Sequence, residues 1–218
     1  MSRALALSTA ITLAAAAALA AQDAAQIVGR SGRLYRNLTS LQAQFVQIIE
    51  DRAQGDTLTS RGTVVQGGDN FFAMRFDDPP GEAIVVDGKS VWTYLPSTSP
   101  NEVSKSPIAT DPVYGVNLLA KLLDRPQDRY RATYLRRDTA SGKSVDAIEL
   151  VPVSEHAPFR KARIWLAVDD GLPRRIELEE GFGARRTLIL SQLRPNVPVS
   201  RRTFTFQPPP GVRVVERL

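Results

Sequence analysis

The stretch Phe71-Phe72-Ala73-Met74-Arg75-Phe76-Asp77 places large apolar side chains at Phe72, Met74 and Phe76, with small or charged ones between them. A period of two is the mark of a β-strand with one face on a core and the other in water. Trp92 and Tyr94 repeat the alternation, as do Ile164, Leu166 and Val168, and then Ile176 and Leu178. Charged residues occupy the other parity at Arg75 and Asp77 and at Arg175, Glu177 and Glu179, so the opposite face is expected to look into water, as an antiparallel sheet allows. Between the runs lie Gly67-Gly68-Asp69-Asn70, Asp87-Gly88, Ser141-Gly142, Asp170-Gly171 and Gly181 to Gly183, which supply the positive φ angles of tight hairpins.

Strands are thereby predicted over 43–51, 60–66, 71–77, 82–87, 90–95, 130–137, 144–151, 160–168, 173–180, 184–193, 203–206 and 212–216. The fold class is mainly β with a smaller helical part, one antiparallel sheet of about a dozen strands in a single domain. Two helices are expected to cover it. From Asp23 to about Leu41, residues Ile27, Leu34, Leu38 and Leu41 follow at helical spacing. A second helix opens where Asp111 reads as an N-cap ahead of Pro112, carries Leu118, Leu119, Leu122 and Leu123, and ends near Asp124, before Pro126. The proline-rich stretch from Pro96 to Pro107 reads as a long loop leading into it. Pattern alone favours a filled core under these helices, although a curved sheet of this size also invites an apolar cavity.

At the N-terminus, Arg3 precedes an apolar, alanine-rich run from Ile11 to Leu19, and Ala18-Leu19-Ala20 fits a signal-peptidase site. Residues 1–20 are therefore expected to be a signal peptide and 21–218 the mature domain, starting at Ala21, with Gln22 and Ala24 as near alternatives. The run is too short for a bilayer-spanning helix. With no cysteine in 218 residues, a disulfide framework and a lipid anchor on cysteine are both closed, which predicts a soluble protein outside the cytoplasm. The net charge of +5 is spread through the chain, and Arg136-Arg137, Arg174-Arg175, Arg185-Arg186 and Arg201-Arg202 are isolated pairs. A nucleic-acid binder would show a basic stripe.

Catalytic constellations are missing from the sequence. The one histidine, His156, sits in the turn-like Ser154-Glu155-His156-Ala157-Pro158, so neither a thiol nucleophile nor a multi-histidine metal site can be assembled. Asp77-Asp78, Asp169-Asp170 and Glu179-Glu180 read as turn and surface carboxylates. No enzyme activity, cofactor or metal is expected.

Ser40-Leu41-Gln42-Ala43-Gln44-Phe45-Val46-Gln47, then Gly62-Thr63-Val64, then Pro79 with Ala83 to Lys89 and Val91-Trp92-Thr93-Tyr94, resemble the LolA family of periplasmic lipoprotein carriers. Further on, Gly171-Leu172-Pro173-Arg174-Arg175-Ile176-Glu177-Leu178, Leu190-Ser191-Gln192-Leu193 and Phe204-Thr205-Phe206-Gln207-Pro208-Pro209-Pro210-Gly211-Val212 are similar to the family's later strands and C-terminal signature. The resemblance implies an unclosed antiparallel β-barrel whose concave apolar face is covered by helices. It implies a periplasmic protein that takes the acyl chains of lipoproteins from an inner-membrane ABC transporter of the LolCDE kind, and a carrier that docks with two partners in turn is most simply a monomer. A LolB-like outer-membrane receptor would then accept them. On that reading Phe72, Met74 and Phe76, with Trp92 and Tyr94, bind acyl chains, and Leu118, Leu119, Leu122 and Leu123 form a removable lid.

Family members commonly carry an Arg-Pro pair before the strand that here begins at Phe71, and its arginine helps keep the lid shut. Gly68 and Asp69 align there, so either another residue closes the groove or the cargo differs. Two other readings stand beside the carrier. A signalling or interaction module of related half-barrel fold would bind lipid or a regulatory protein. An acceptor-type receptor would need the cysteine anchor that is absent.

Overall fold

Strand β1 (Leu41–Asp51) joins the two halves of the sheet, pairing antiparallel with β2 (Asp56–Gln66) on one side and β11 (Ala184–Pro195) on the other. The structure is a computed structural model that describes residues 23–51, 54–68, 70–108 and 117–217. The signal peptide expected over 1–20, the N-cap expected at Asp111 and the alignment position Asp69 lie outside the described residues.

On the first side the chain meanders through β3 (Phe71–Asp78), β4 (Ala83–Asp87), β5 (Ser90–Tyr94) and β6 (Glu102–Pro107). On the second, β7 (Tyr130–Ala140), β8 (Lys143–Pro152), β9 (Phe159–Ala167) and β10 (Pro173–Glu180) lead to β11. One twelve-stranded sheet results, in the order β12-β6-β5-β4-β3-β2-β1-β11-β10-β9-β8-β7, with β12 (Arg213–Glu216) and β7 at its free edges. The barrel is unclosed, as expected. The hairpin turns also fall where predicted, with positive φ at Gly68, Gly88, Gly142, Gly171 and Gly183.

Two strand assignments differ from expectation and offset each other in the count. Residues 102–107, read as part of a long loop, form β6, because Val103 is completely buried on the outer face and the strand pairs with β5. Residues 203–206, read as a strand, are instead the end of a 3-10 turn at Arg201–Phe204 and the irregular residues after it, and Ser200 caps that turn by accepting a bond from Arg202 N. The sheet is also not wholly antiparallel, since β12 runs parallel to β6, and ion pairs of Glu102 with Arg213 and Arg217 and of Lys105 with Glu216 line that junction.

The concave face carries the main core. Phe45 in β1 is 2 % exposed and meets Phe76 edge to face, with ring centroids 5.1 Å apart. The two rings sit on strands separated by β2, and the position between them in register is Gly62. A Cβ there would stand 2.0 Å from the carbonyl oxygen of Arg75, so only glycine admits both the bulged β3 backbone and the ring contact above it. Ile148, Ile164, Ile176 and Leu190 extend the same core across the second half.

Helix α1 (residues 23–36) lies on this face through Ala24, Val28, Ser31 and Tyr35, all buried, with Ile27 partly buried beside them. The predicted face was rotated from the real one, for Leu34 is exposed and Leu41 already belongs to β1. Two short helices follow, α2 (Leu118–Leu123) and α3 (Pro126–Arg129), the second unanticipated. They pack closely on α1 at Gly32, where a Cβ would come within 2.6 Å of the Leu123 carbonyl oxygen.

The outer face of the first half was expected to be wet, and it is not. Val65, Ala73, Ala83, Val85 and Phe204 form a second core, joined by Phe71, Trp92, Val199 and Phe206. The C-terminal segment crosses this face, setting Phe204 against Phe71 at 5.5 Å and Phe206 against Trp92 at 5.9 Å. Arg75 is held by the same segment, donating to the carbonyls of Thr203 and Thr205.

Phe204→Ala should therefore lower the free energy of unfolding by about 3 kcal/mol, the scale of emptying an aromatic site in a core. Urea titration measures it, and a loss below about 0.5 kcal/mol, the range of ordinary surface changes, would mean that this face is no core.

Candidate functional site

Between α2 and the concave face lies a cavity of about 270 Å³. Its sheet wall is Val64 of β2, Phe72 and Met74 of β3, Ile84 of β4, Leu178 of β10 and Leu188 of β11. Register explains the wall, because Val64, Met74 and Ile84 are consecutive partners across three strands and so share one face. Leu118, Leu119, Asn117 and Lys121 close the cavity from the helix side, and Pro158 and Phe159 from the start of β9. One rim is polar. There Gln47 stands near Arg186 and Glu180, whose ion pair measures 2.9 Å.

Of the residues predicted to bind acyl chains, Phe72 and Met74 line this cavity. Phe76 is on the same face but is spent in the core against Phe45. Trp92 and Tyr94 must be corrected, because they occupy the outer face of β5, where both rings pack on Phe206 and the Trp92 Nε1 donates to Asp87 at 2.8 Å. In β5 the positions paired with groove-facing Val86 and Ile84 are Val91 and Thr93. Aromatic alternation marked a buried face correctly but could not tell which of two buried faces it was. Among the predicted lid residues, Leu118 and Leu119 line the cavity while Leu122 and Leu123 are completely buried beneath the helix.

Sequence reading passed over the polar contacts at the entry to α2. Asn117 caps that helix, its Oδ1 accepting from Ala120 N at 3.0 Å, while its Nδ2 donates to Gln66 Oε1 at 3.0 Å. Tyr35 on α1 donates its hydroxyl proton toward Gln66 Oε1 and lies 3.2 Å from Asn117 Oδ1. Tyr35 is 4 % exposed, and burial pushes its phenol well above the ordinary tyrosine range, against the smaller opposing effect of bonds to Asn117 and Gln66. No local pattern pointed to this group, since its members lie far apart in the chain. The one available signal was a polar residue, Gln66, at the end of a strand whose inward positions are otherwise apolar or small.

Among the described residues no group of three or more His, Cys, Asp or Glu side chains is arranged to hold a metal ion. His156 is exposed in its turn, with its backbone N–H on the Ser154 hydroxyl. No helix is long and apolar enough to cross a membrane among the described residues. The arrangement is suited to enclosing apolar chains.

The family described as "Outer membrane lipoprotein carrier protein LolA" matches residues 36–207. A protein of Alkalilimnicola ehrlichii named outer-membrane lipoprotein carrier protein is 27 % identical over 185 residues, covering 84 % of this chain and 81 % of the relative. One of the same name from Pseudomonas aeruginosa is 24 % identical over 206 residues, 94 % of each chain. Among solved structures, an uncharacterized conserved protein from Thermus thermophilus superposes with a TM-score of 0.56 at 17 % identity, covering 88 % of this chain and 98 % of that one. The Mycobacterium tuberculosis lipoprotein LppX superposes with a TM-score of 0.51 at 15 % identity, covering 82 % of this chain and 98 % of its own, and both likenesses speak to the fold alone.

The raised phenol of Tyr35 sets an alkaline limit on stability. A group whose folded pKa exceeds its unfolded value stabilises the fold in full below the unfolded value, about 10 for tyrosine, and loses that contribution as pH rises through the folded one. The urea midpoint should thus fall between about pH 10 and about pH 11, and less steeply in Tyr35→Phe. Equal slopes in both proteins would mean that this phenol ionises normally.

Proposed function

The chain belongs to the LolA family, and from that premise we propose that it is an exported carrier that holds lipoprotein acyl chains between α2 and the concave sheet face. The cavity of about 270 Å³, walled by Val64, Phe72, Met74, Ile84, Leu118 and Leu119, is the observation that carries this reading. It takes the protein to the periplasm of a bacterial envelope. Cargo would arrive from a LolCDE-like inner-membrane transporter and leave to a LolB-like outer-membrane receptor.

The cavity volume says how loading must proceed. A cavity of about 270 Å³ is smaller than several acyl chains require. Loading therefore requires α2 to move off the sheet. Exposing Leu119, Leu122 and Leu123 would cost about 1.5–3 kcal/mol each, whereas burying a dozen methylenes of one chain contributes ~10 kcal/mol. One chain outweighs the lid, and the leucines lose less than the full amount if they settle on the cargo.

The same magnitudes constrain release. Several chains in a fully dry groove would bind with ~20 kcal/mol or more, where non-covalent affinity saturates, and simple dissociation would be too slow to be useful. Transfer is then a direct exchange in which the receptor's apolar surface replaces that of the carrier. Only the difference between two similar burials sets its direction, so neither binding need be weak. No bond is made or broken in this cycle, in keeping with a transport role rather than catalysis.

Native mass spectrometry of the mature protein from a periplasmic extract, followed by denaturing release, tests the reading through co-purifying acylated protein. Phe72→Asn and Leu119→Asn should each reduce retained acyl cargo by about ten- to a hundredfold, from the loss of 1.5–3 kcal/mol of apolar contact, with an unchanged circular dichroism spectrum. Retention unchanged in both variants would remove the cavity from the mechanism.

A further inference from the structure

We infer that Tyr35, Gln66 and Asn117 are positioning residues that latch α2 over the groove, an inference that rests on the carrier reading for its purpose and on geometry for its existence. The three come from α1, the last residue of β2 and the N-cap of α2, and they meet at one acceptor atom. Gln66 Oε1 receives Asn117 Nδ2 at 3.0 Å and the Tyr35 hydroxyl as well, using both of its lone pairs. Asn117 Oδ1 lies 3.2 Å from the same hydroxyl.

Apolar contacts cannot specify the closed position by themselves. Leu119, Leu122 and Leu123 can pack against an acyl chain as well as against the sheet, because burial is non-directional. Hydrogen bonds of defined angle distinguish one placement of α2 from another. Asn117 divides its two ends usefully: Oδ1 stays on Ala120 N within the helix, while Nδ2 reaches across to Gln66. When α2 leaves, the Asn117–Gln66 bond breaks and the cap can travel with the helix. The lid thus moves as a unit, without unwinding its first turn.

The latch is built from neutral groups, so its release strands no buried charge. Tyr35, with a single proton to donate, can keep its bond to Gln66 after Asn117 departs, because both lie outside the moving helix. Burial holds that phenol protonated, which keeps the donor available.

Amide hydrogen exchange across α2 tests the latch without any ligand. Protection at Ala120, Lys121 and Asp124, read as a ratio to core amides of β1 and β11 so that global destabilisation cancels, should fall about tenfold in Gln66→Leu, which is 1.4 kcal/mol. Tyr35→Phe, which removes the bond that orients Gln66 toward Asn117, should lower it by less. Gln66→Glu keeps the acceptor and should stay within about twofold of the parent. The latch is overturned if Gln66→Leu and Tyr35→Phe leave the ratio unchanged, or if Gln66→Glu, which keeps the acceptor, loses as much as Gln66→Leu. Uptake of dansyl-undecanoic acid, followed by stopped-flow fluorescence, separates latch from carrier. Entry about tenfold faster in Gln66→Leu supports both. No uptake by either protein, with exchange altered as predicted, overturns the carrier reading and leaves the latch in place.

Discussion

A twelve-stranded sheet curved around an apolar face presents more surface than α1, α2 and α3 can cover by direct contact, and the rest of the molecule follows from that mismatch. Where cover is complete, as around Phe45, Phe76, Ile148 and Ile164, the concave side is an ordinary close-packed core. Under the six residues of α2 it is incomplete, and the cavity lined by Phe72, Met74 and Leu119 remains. A short helix is also the element that a small change in free energy can move, since its hold on the sheet is a few leucines and a polar contact at one end. Close packing in one region and a cavity in another thus come from the same shortage of helix.

The two faces of the sheet divide the work. The outer face of β3, β4 and β5 is closed by the C-terminal segment through Phe204 and Phe206, and β12 covers the outer edge of β6. That half of the sheet has apolar groups on both sides, so it can hold its curvature even if α2 leaves the inner side. The outer core lies on the opposite face from the cavity, and the Phe45–Phe76 contact is not part of the cavity wall, so the opening proposed for α2 would leave both in place.

Much of this was legible in the sequence. The hairpin turns at Asp87-Gly88 and Ser141-Gly142 and the alternation in 71–77 and 173–180 gave the strands almost residue by residue, because turn chemistry and a period of two are local properties. Strand β6 was hidden by the prolines at 96, 100 and 107, and the 3-10 turn at Arg201–Phe204 was disguised by alternating phenylalanines. In the candidate site, Phe72, Met74, Leu118 and Leu119 could be named in advance, whereas Trp92 and Tyr94 were put on the wrong side. An apolar period of two says that a strand has a buried face; it does not say which face of the sheet that is when both are covered.

The order and chemistry of the chain thus determined, without any structure, a mainly β sheet of about a dozen strands, its hairpins, a leucine-rich helix to cover it, and a family resemblance that residues 36–207 confirm. Only the tertiary structure decided the pairing of β1 with β11, the parallel docking of β12, the second core beneath Phe204 and the meeting of Tyr35, Gln66 and Asn117. The physical reason is the same for each. These contacts join residues from 31 to 154 positions apart, and nothing within either partner's neighbourhood records where the other will stand.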